Sequence, residues 1–341
     1  MTNRRKRWIL ITIIILIVIA GLIAGYFFGS HASKEAENKV SIQNKNVSAF
    51  ENITYMEGLP NSQLDILMPK HVNADDKLPV IFWAHGGGFI AGDKQYKNPL
   101  LAEIVERGYV VVNVNYALAP EYQYPTPLIQ MNNAVRFIKA HEQELPINLD
   151  EVIIGGDSAG AQINSQFTAI QTNAQLRADM RFEQQFKPEQ LKAAIFFGGF
   201  YDMQTVRSTE FPRIDLFMRS YTGVKHWETR FKNIAEMSTK NQITSDFPAT
   251  YLSVGDADPF MSQNVSFADA LEKKGIVVER FFFDGSHQLK HQYQFHLQKP
   301  ESKENIQQVL SFLSRNTANT QVNTEVKDDI HTEINLNPYE M

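Results

Sequence analysis

The pentapeptide Gly156-Asp157-Ser158-Ala159-Gly160 constrains the fold of this chain more than any other feature. It follows the apolar run Val152–Ile154 and precedes a segment of helical composition that ends near Thr172. Glycines on both sides of a serine allow a turn so sharp that the serine backbone is strained and its hydroxyl is lifted clear of a sheet. The sequence therefore predicts a buried strand, a tight turn that presents Ser158 as a nucleophile, and a following helix.

A second glycine-rich motif lies upstream, where His85-Gly86-Gly87-Gly88-Phe89 follows the apolar segment 78–84. Three consecutive glycines cost conformational entropy, and in acyl transfer they let backbone N–H groups approach a developing oxyanion. We expect the oxyanion hole to consist of the N–H groups of Gly86, Gly87 and Ala159. The alternative interpretation is a flexible glycine loop without a catalytic role.

A serine nucleophile requires a base and an acid that orients the base, and in α/β-hydrolases these follow in the order serine, acid, histidine. The apolar segment 281–283 ends in a glycine-containing loop with His287, which we predict to be the base. His291 and His296 are expected in a helix instead. Asp256 and Asp258 both follow the apolar segment 249–255 and are both candidates for the acid.

Four motifs, in order, resemble the hormone-sensitive-lipase-like family of α/β-hydrolase esterases, close to the bacterial carboxylesterases. They are the His-Gly-Gly-Gly-Phe motif at 85–89, Tyr116-Ala-Leu-Ala-Pro-Glu121, the serine pentapeptide, and Asp258-Pro259 before His287. The resemblance implies that Asp258 is the triad acid and that the block from Tyr116 to Glu121 supports the oxyanion loop. His85, Gly88 and Asp157 are further expected supporting residues.

The order of apolar and helical segments predicts an α/β-hydrolase fold with a mostly parallel central sheet and helices on both faces. The segment from about 200 to 247 is too long for a simple crossover and is expected to form a small helical cap. Predicted strands are 78–84, 109–115, 151–155, 193–197, 249–255 and 277–283; predicted helices are 99–107, 128–144, 159–172, 262–274 and 303–314.

The N-terminal region predicts a membrane anchor. The basic segment 1–7, with Arg4-Arg5-Lys6-Arg7, precedes an uncharged stretch at 8–28, and about 20 apolar residues suffice to span a bilayer. Basic residues before the span favour a cytoplasmic N-terminus and an extracytoplasmic catalytic domain at the cell membrane. The alternative is a signal peptide cleaved after Ser30-His31-Ala32, which would release a secreted enzyme.

Beyond the anchor, we expect a polar linker at 29–47, a catalytic domain at 48–315 and a loosely ordered polar tail at 316–341. The net charge of −5 argues against a nucleic-acid partner. No dinucleotide or phosphate-binding motif occurs, and no metal or cofactor is expected.

Together these features predict a serine carboxylic-ester hydrolase for small or medium acyl esters. Two alternatives are a serine peptidase or amidase of the same fold and a non-catalytic surface binding module.

Overall fold

The structure is a computed structural model that describes residues 44–73 and 75–318. The predicted anchor at 8–28, the larger part of the linker and nearly all of the polar tail lie outside these residues. Within the two described ranges, no helix is both long and apolar enough to cross a membrane. The anchor therefore stays a prediction from the sequence.

An eight-stranded sheet forms the centre of the described domain. The strands are β1 Val47–Thr54, β2 Gln63–Pro69, β3 Leu78–Ala84, β4 Val110–Val114, β5 Ile147–Asp157, β6 Leu191–Phe197, β7 Ala249–Val254 and β8 Val278–Phe282. Their order in the sheet is β1-β2-β4-β3-β5-β6-β7-β8. β2 pairs antiparallel with β1 and with β4, and the strands from β3 to β8 are parallel, which confirms the predicted mostly parallel sheet.

The central strands read as continuous apolar runs because helices cover both faces of the sheet. Every residue of β3 is buried, for example. The antiparallel strands β1 and β2 were not predicted. Residues of β1 alternate in part between half-buried and exposed, as expected for an edge strand. In the sequence, such a pattern indicates a strand less clearly than a continuous apolar run does.

Two layers of helices enclose the sheet. The helices are α1 Asn98–Val105, α2 Thr126–Ala140, α3 Ala159–Thr172, α4 Ala174–Met180, α5 Ile214–Thr222, α6 Trp227–Arg230, α7 Ile234–Met237, α8 Met261–Lys273 and α9 Pro300–Asn316. Apolar side chains of α1 and α9 pack on one face of the sheet, and those of α2, α3 and α8 pack on the other.

The segment between β6 and β7 contains the three short helices α5, α6 and α7. Its aromatic residues belong to the larger hydrophobic core: Tyr221 stacks on Phe89 with ring centroids 3.8 Å apart, and Trp227 is fully buried. Because Phe89 directly follows the glycine loop after β3, this packing fixes the cap segment beside that loop.

Candidate active site

The position of the site follows from the topology of the sheet. β3 and β5 are neighbours, but the chain continues from β3 to β4 on one side and from β5 to β6 on the other. In open α/β sheets such a reversal leaves a crevice at the carboxyl ends of the strands. The glycine loop follows β3 and Ser158 follows β5, so both motifs meet at this crevice.

Ser158 has the strained backbone that the sequence predicts, with φ 51° and ψ −117°. The conformation is enforced on both sides. A Cβ atom on Gly156 would lie 2.6 Å from the Gly160 carbonyl oxygen, and one on Gly160 would lie 2.0 Å from the Ala84 carbonyl oxygen. The Ser158 amide donates to the Phe197 carbonyl oxygen at 2.8 Å, which ties the turn to β6. Glycine is therefore required at both flanking positions.

His291 is the histidine that contacts the serine. Its Nε2 atom lies 3.0 Å from Ser158 Oγ, and its Nδ1 atom lies 2.7 Å from Asp258 Oδ2. Because a carboxylate can only accept, Nδ1 carries the proton and Nε2 is free to accept from the hydroxyl. The Asp258 carboxylate is fixed in turn by the Phe260 amide, which donates to Oδ1 at 2.9 Å.

The prediction that His287 is the base is wrong. His287 is exposed, and its Nδ1 atom lies near Ser286 Oγ and Asp284 at 3.2 and 3.7 Å, not near the nucleophile. The predicted helix around His291 is also wrong, because α9 begins only at Pro300. The long loop between β8 and α9 uses its first residues to form a turn, and only the histidine four residues later reaches the serine.

The two candidate acids have separate roles in the structure. Asp258, the residue implied by the family resemblance, meets the histidine, whereas Asp256 binds the loop backbone. Asp256 accepts from the amides of His287, Gln288 and Leu289 at 2.8, 3.1 and 2.6 Å. Partial burial alone would raise the pKa of the Asp256 carboxyl, but these amide hydrogen bonds outweigh it and hold the pKa below its ordinary value.

The oxyanion loop differs from the prediction at one glycine. The Gly86 amide donates to Asp157 Oδ2 at 3.0 Å, so it is not available to an oxyanion. Within the described residues, the amides of Gly87 and Gly88 make no hydrogen bond, and Ala159 is the first residue of α3, where a helix leaves its amide unpaired. The geometry therefore favours Gly87, Gly88 and Ala159 as donors and gives Gly86 a supporting role.

The Asp157 carboxylate lies at the centre of a buried network of hydrogen bonds and an ion pair beneath the oxyanion loop. Its side chain is fully buried and also accepts from Trp83 Nε1 at 3.1 Å and pairs with Lys97 Nζ at 2.8 Å. A buried carboxylate needs such compensation, since an unpaired one would be strongly destabilising. Sequence reasoning missed Lys97, because nothing in its local pattern marks a lysine that reaches a buried acid.

The expected supporting residues His85 and Tyr116 are in contact with each other. The Tyr116 hydroxyl donates to the His85 carbonyl oxygen at 2.7 Å, and the two rings stack with centroids 4.4 Å apart. His85 Nδ1 lies 2.7 Å from the Gly86 carbonyl oxygen, and burial lowers the pKa of the imidazole, which keeps the ring neutral. Glu121 is exposed and makes no hydrogen bond or ion pair in the described part of the chain, so its expected supporting role has no contact behind it.

A cavity of about 410 Å³ opens beside Ser158, with Ile90, Phe211 and Phe217 among its lining residues. The Phe211 ring meets the His291 ring edge-on at 4.8 Å between centroids. Phe217 covers Gly88 so closely that a Cβ atom there would lie 2.8 Å from the phenyl ring. The cap segment therefore supplies apolar contacts to both the histidine and the oxyanion loop.

One cluster outside the cavity has the residue types of a metal site. Ligand atoms of Asp256, Asp284 and His287 lie within 4.8 Å of one another. Asp284 and His287 are exposed, and Asp256 is half-buried. The carboxylates already accept hydrogen bonds from the loop itself. This cluster is therefore accounted for as a turn that holds the loop before His291.

Comparison with known proteins places this site in a family. The BD-FAE family model matches residues 64–273, which is more than half of the chain and includes the glycine loop, Ser158 and Asp258. The chain belongs to the BD-FAE family. The family match ends before the loop that carries His291.

The chain is also similar to curated esterases of Mycobacterium tuberculosis. It is 26% identical over 226 residues to the probable carboxylic ester hydrolase LipM, a match that covers 65% of this chain and 51% of LipM. It is 25% identical over 229 residues to the carboxylesterase NlhH, covering 65% of this chain and 69% of NlhH. The chain thus spans about half the length of LipM and about two thirds of NlhH.

Among solved structures, esterase B of Lactobacillus rhamnosis superposes with a TM-score of 0.71 at 18% sequence identity, covering 87% of this chain and 94% of that protein. At this identity the likeness establishes the α/β-hydrolase fold. Together with the family match, it confirms the resemblance to α/β-hydrolase esterases that the sequence motifs predict.

Proposed function

We propose that this protein is a serine carboxylic-ester hydrolase that acts through Ser158, His291 and Asp258. The observation that carries the proposal is the continuous contact from Ser158 Oγ to His291 Nε2 at 3.0 Å and from His291 Nδ1 to Asp258 Oδ2 at 2.7 Å. A nucleophile within hydrogen-bond reach of a base, which is itself oriented by an acid, is the arrangement that activates a serine.

In the proposed mechanism, His291 removes the hydroxyl proton as Ser158 attacks the ester carbonyl. Asp258 holds the imidazole in the required tautomer and stabilises the imidazolium. The carbonyl oxygen becomes an oxyanion that accepts from the amides of Gly87 and Ala159, with Gly88 beside them. His291 then gives its proton to the leaving alkoxide, and an acyl-enzyme remains on Ser158.

Water hydrolyses the acyl-enzyme by the same route in reverse. His291 removes a proton from the water as it attacks the acyl carbon, and the tetrahedral intermediate collapses to release the carboxylic acid and return the proton to Ser158. The same imidazole therefore acts as base in the first half of each step and as acid in the second.

The cavity bounds the size of the substrate. A volume of about 410 Å³ with Ile90, Phe211 and Phe217 in its wall suits a small or medium acyl or alcohol group. The similar curated proteins are named carboxylic ester hydrolase and carboxylesterase, so the esterase function takes precedence over the peptidase alternative.

A screen of p-nitrophenyl esters with acyl chains of increasing length, with peptide p-nitroanilides in parallel, tests the proposal. We expect turnover of short and medium esters, no comparable amide hydrolysis, and loss of ester turnover in Ser158→Ala. Faster cleavage of the anilides would favour a peptidase. Ester turnover that survives Ser158→Ala in a purified, folded variant would refute the mechanism.

For the location of the enzyme, the uncharged segment 8–28 after Arg4-Arg5-Lys6-Arg7 supports a single-pass anchor with the catalytic domain outside the cytoplasm. The full-length protein should then pellet with membranes after a carbonate wash and be digested by protease added to intact protoplasts. Recovery of the protein from the culture medium with a new N-terminus near Ser33 would instead indicate a cleaved signal peptide.

A further inference from the structure

The charges around the cavity are unevenly compensated. Four residues with charged side chains line it: Asp93, Lys97, Asp157 and Arg213. Lys97 and Asp157 pair with each other at 2.8 Å. Both oxygens of Asp93 accept hydrogen bonds, from the Gln95 amide at 2.9 Å and from Asn115 Nδ2 at 2.8 Å. Three of the four charges are therefore committed to structural partners.

Arg213 is the exception. It is exposed, and within the described residues its guanidinium makes no hydrogen bond, ion pair or ring contact. The nearby acid on the same helix, Asp215, is already paired with Arg207. A guanidinium offers five N–H donors in a planar fork that matches a carboxylate, so an unpaired one in a cavity wall is a ready anion-binding group.

The backbone at Arg213 adds a second observation. Its φ of 66° and ψ of 16° lie in the left-handed region, which is unfavourable for a non-glycine residue. Glycine would adopt this conformation without the cost. The residue lies at the start of α5, between Phe211 and Phe217, which also line the cavity. Arg213 thus combines a strained backbone with a position in the wall of the cavity.

Resting on the proposed esterase function, we propose that Arg213 is a specificity residue that selects esters carrying an anionic group, such as a free carboxylate, over neutral esters of the same size. Ser158 attacks the ester carbonyl while the anionic group lies against Arg213 at the cap side of the cavity. The acyl part and the alcohol part of an ester could each carry the anion, and the two are separable by experiment.

The test measures kcat/KM for two matched substrate pairs. Monoethyl adipate and ethyl hexanoate differ in an anion on the acyl side, and 4-acetoxybenzoate and 4-acetoxybenzamide differ in an anion on the alcohol side. We expect the wild type to prefer the anionic member of at least one pair. Arg213→Gln should lower that preference about tenfold or more while neutral-ester turnover changes less than about twofold.

Two further variants act as controls. Arg219→Gln removes the same charge from the same helix, at a residue that does not line the cavity and has no side-chain partner in the described residues, and should leave both rates unchanged. Arg213→Lys keeps the charge but loses the planar fork and should retain part of the preference. High salt should weaken the wild-type preference, because exposed charges are screened.

The two levels of the proposal fail separately. If the wild type hydrolyses neither the four esters nor the p-nitrophenyl esters, the esterase function itself is refuted. If it hydrolyses only the p-nitrophenyl esters, the role of Arg213 is refuted and the esterase function stands. If it hydrolyses the neutral esters but the anionic-to-neutral ratio is the same in wild type, Arg213→Gln and Arg219→Gln, the role of Arg213 is refuted and the esterase function stands. An anionic-to-neutral ratio that falls equally in both glutamine variants would indicate a general field effect and would likewise overturn the assignment.

Discussion

The proposed nucleophile Ser158 and the proposed base His291 reach the same cavity from two regions that are specified in different ways. Ser158 sits in a turn between β5 and α3, where contacts within a few residues and with the adjacent strand decide the conformation. His291 sits in a loop of more than a dozen residues between β8 and α9. The turn at Ser158 could be predicted from a five-residue motif. The position of the histidine could not, even though a histidine was expected as the base.

The turn at the nucleophile is predictable because its determinants are steric and local. A side chain at Gly160 would collide with the backbone after β3, which leaves glycine as the residue that fits there. The strain at Ser158 is imposed by a strand and a helix that the apolar pattern also predicts. Every level of the sequence pattern leads to the same local structure.

The histidine loop is set by contacts between segments that are distant in sequence. Asp256, after β7, holds the amides at 287–289, and the Ala257 amide donates to the Leu289 carbonyl oxygen at 2.9 Å. These contacts form a turn before His291, so the proposed base lies four residues after the predicted one. Pro300 carried part of the missing signal, because proline is favoured at the first position of a helix and marks the start of α9 nine residues after His291.

The largest effect should distinguish the two histidines. His291→Ala should lower ester kcat/KM by about 10⁴-fold or more, because it removes the base from a triad. His287→Ala should change it less than about threefold, because its ring lies on the exposed side of the loop. Steady-state kinetics with a p-nitrophenyl ester measure both.

The control for this pair is thermal unfolding of both variants, which separates catalysis from folding. A folded His287→Ala enzyme that is inactive, beside a folded His291→Ala enzyme that keeps its activity, would restore the assignment made from the sequence and contradict the proposed base. The same comparison would then predict that the loop rearranges when substrate binds.

The other features of the site also fall into those that the local sequence predicts and those that depend on contacts between distant segments. The parallel strands, the glycine loop and Asp258 could be predicted because each is carried by a continuous run or by a motif that resembles known esterases. Three other features could not be predicted, because each depends on how separate elements pack. They are the hydrogen bond from the Gly86 amide to Asp157, the ion pair of Lys97 with that carboxylate, and the position of Arg213 in the cavity wall. Side chains that act across elements leave no period or spacing in the sequence.

A smaller effect should report on the contacts that hold the histidine loop. Asp256→Asn removes the charge that accepts three backbone amides and places an N–H₂ group against at least one of them. We expect kcat to fall about tenfold, with KM nearly unchanged and Tm lower by about 2–4 °C at neutral pH. Asp284→Asn is the matched control: its carboxylate accepts from Ser286 in the same loop but does not bind the amides at 287–289.

The sign of the pH dependence separates a charge effect from a loss of shape. The pKa of Asp256 is lowered in the folded protein from its ordinary 3.8, so its contribution to stability is fully present above that value and is lost as pH falls through the folded-state pKa. The Tm difference between wild type and Asp256→Asn should therefore be constant from pH 7 down to about pH 5 and shrink below about pH 4. A difference that persists unchanged in acid would mean that the side-chain shape, and not its charge, holds the turn, and the histidine loop would then be as sterically determined as the turn at Ser158.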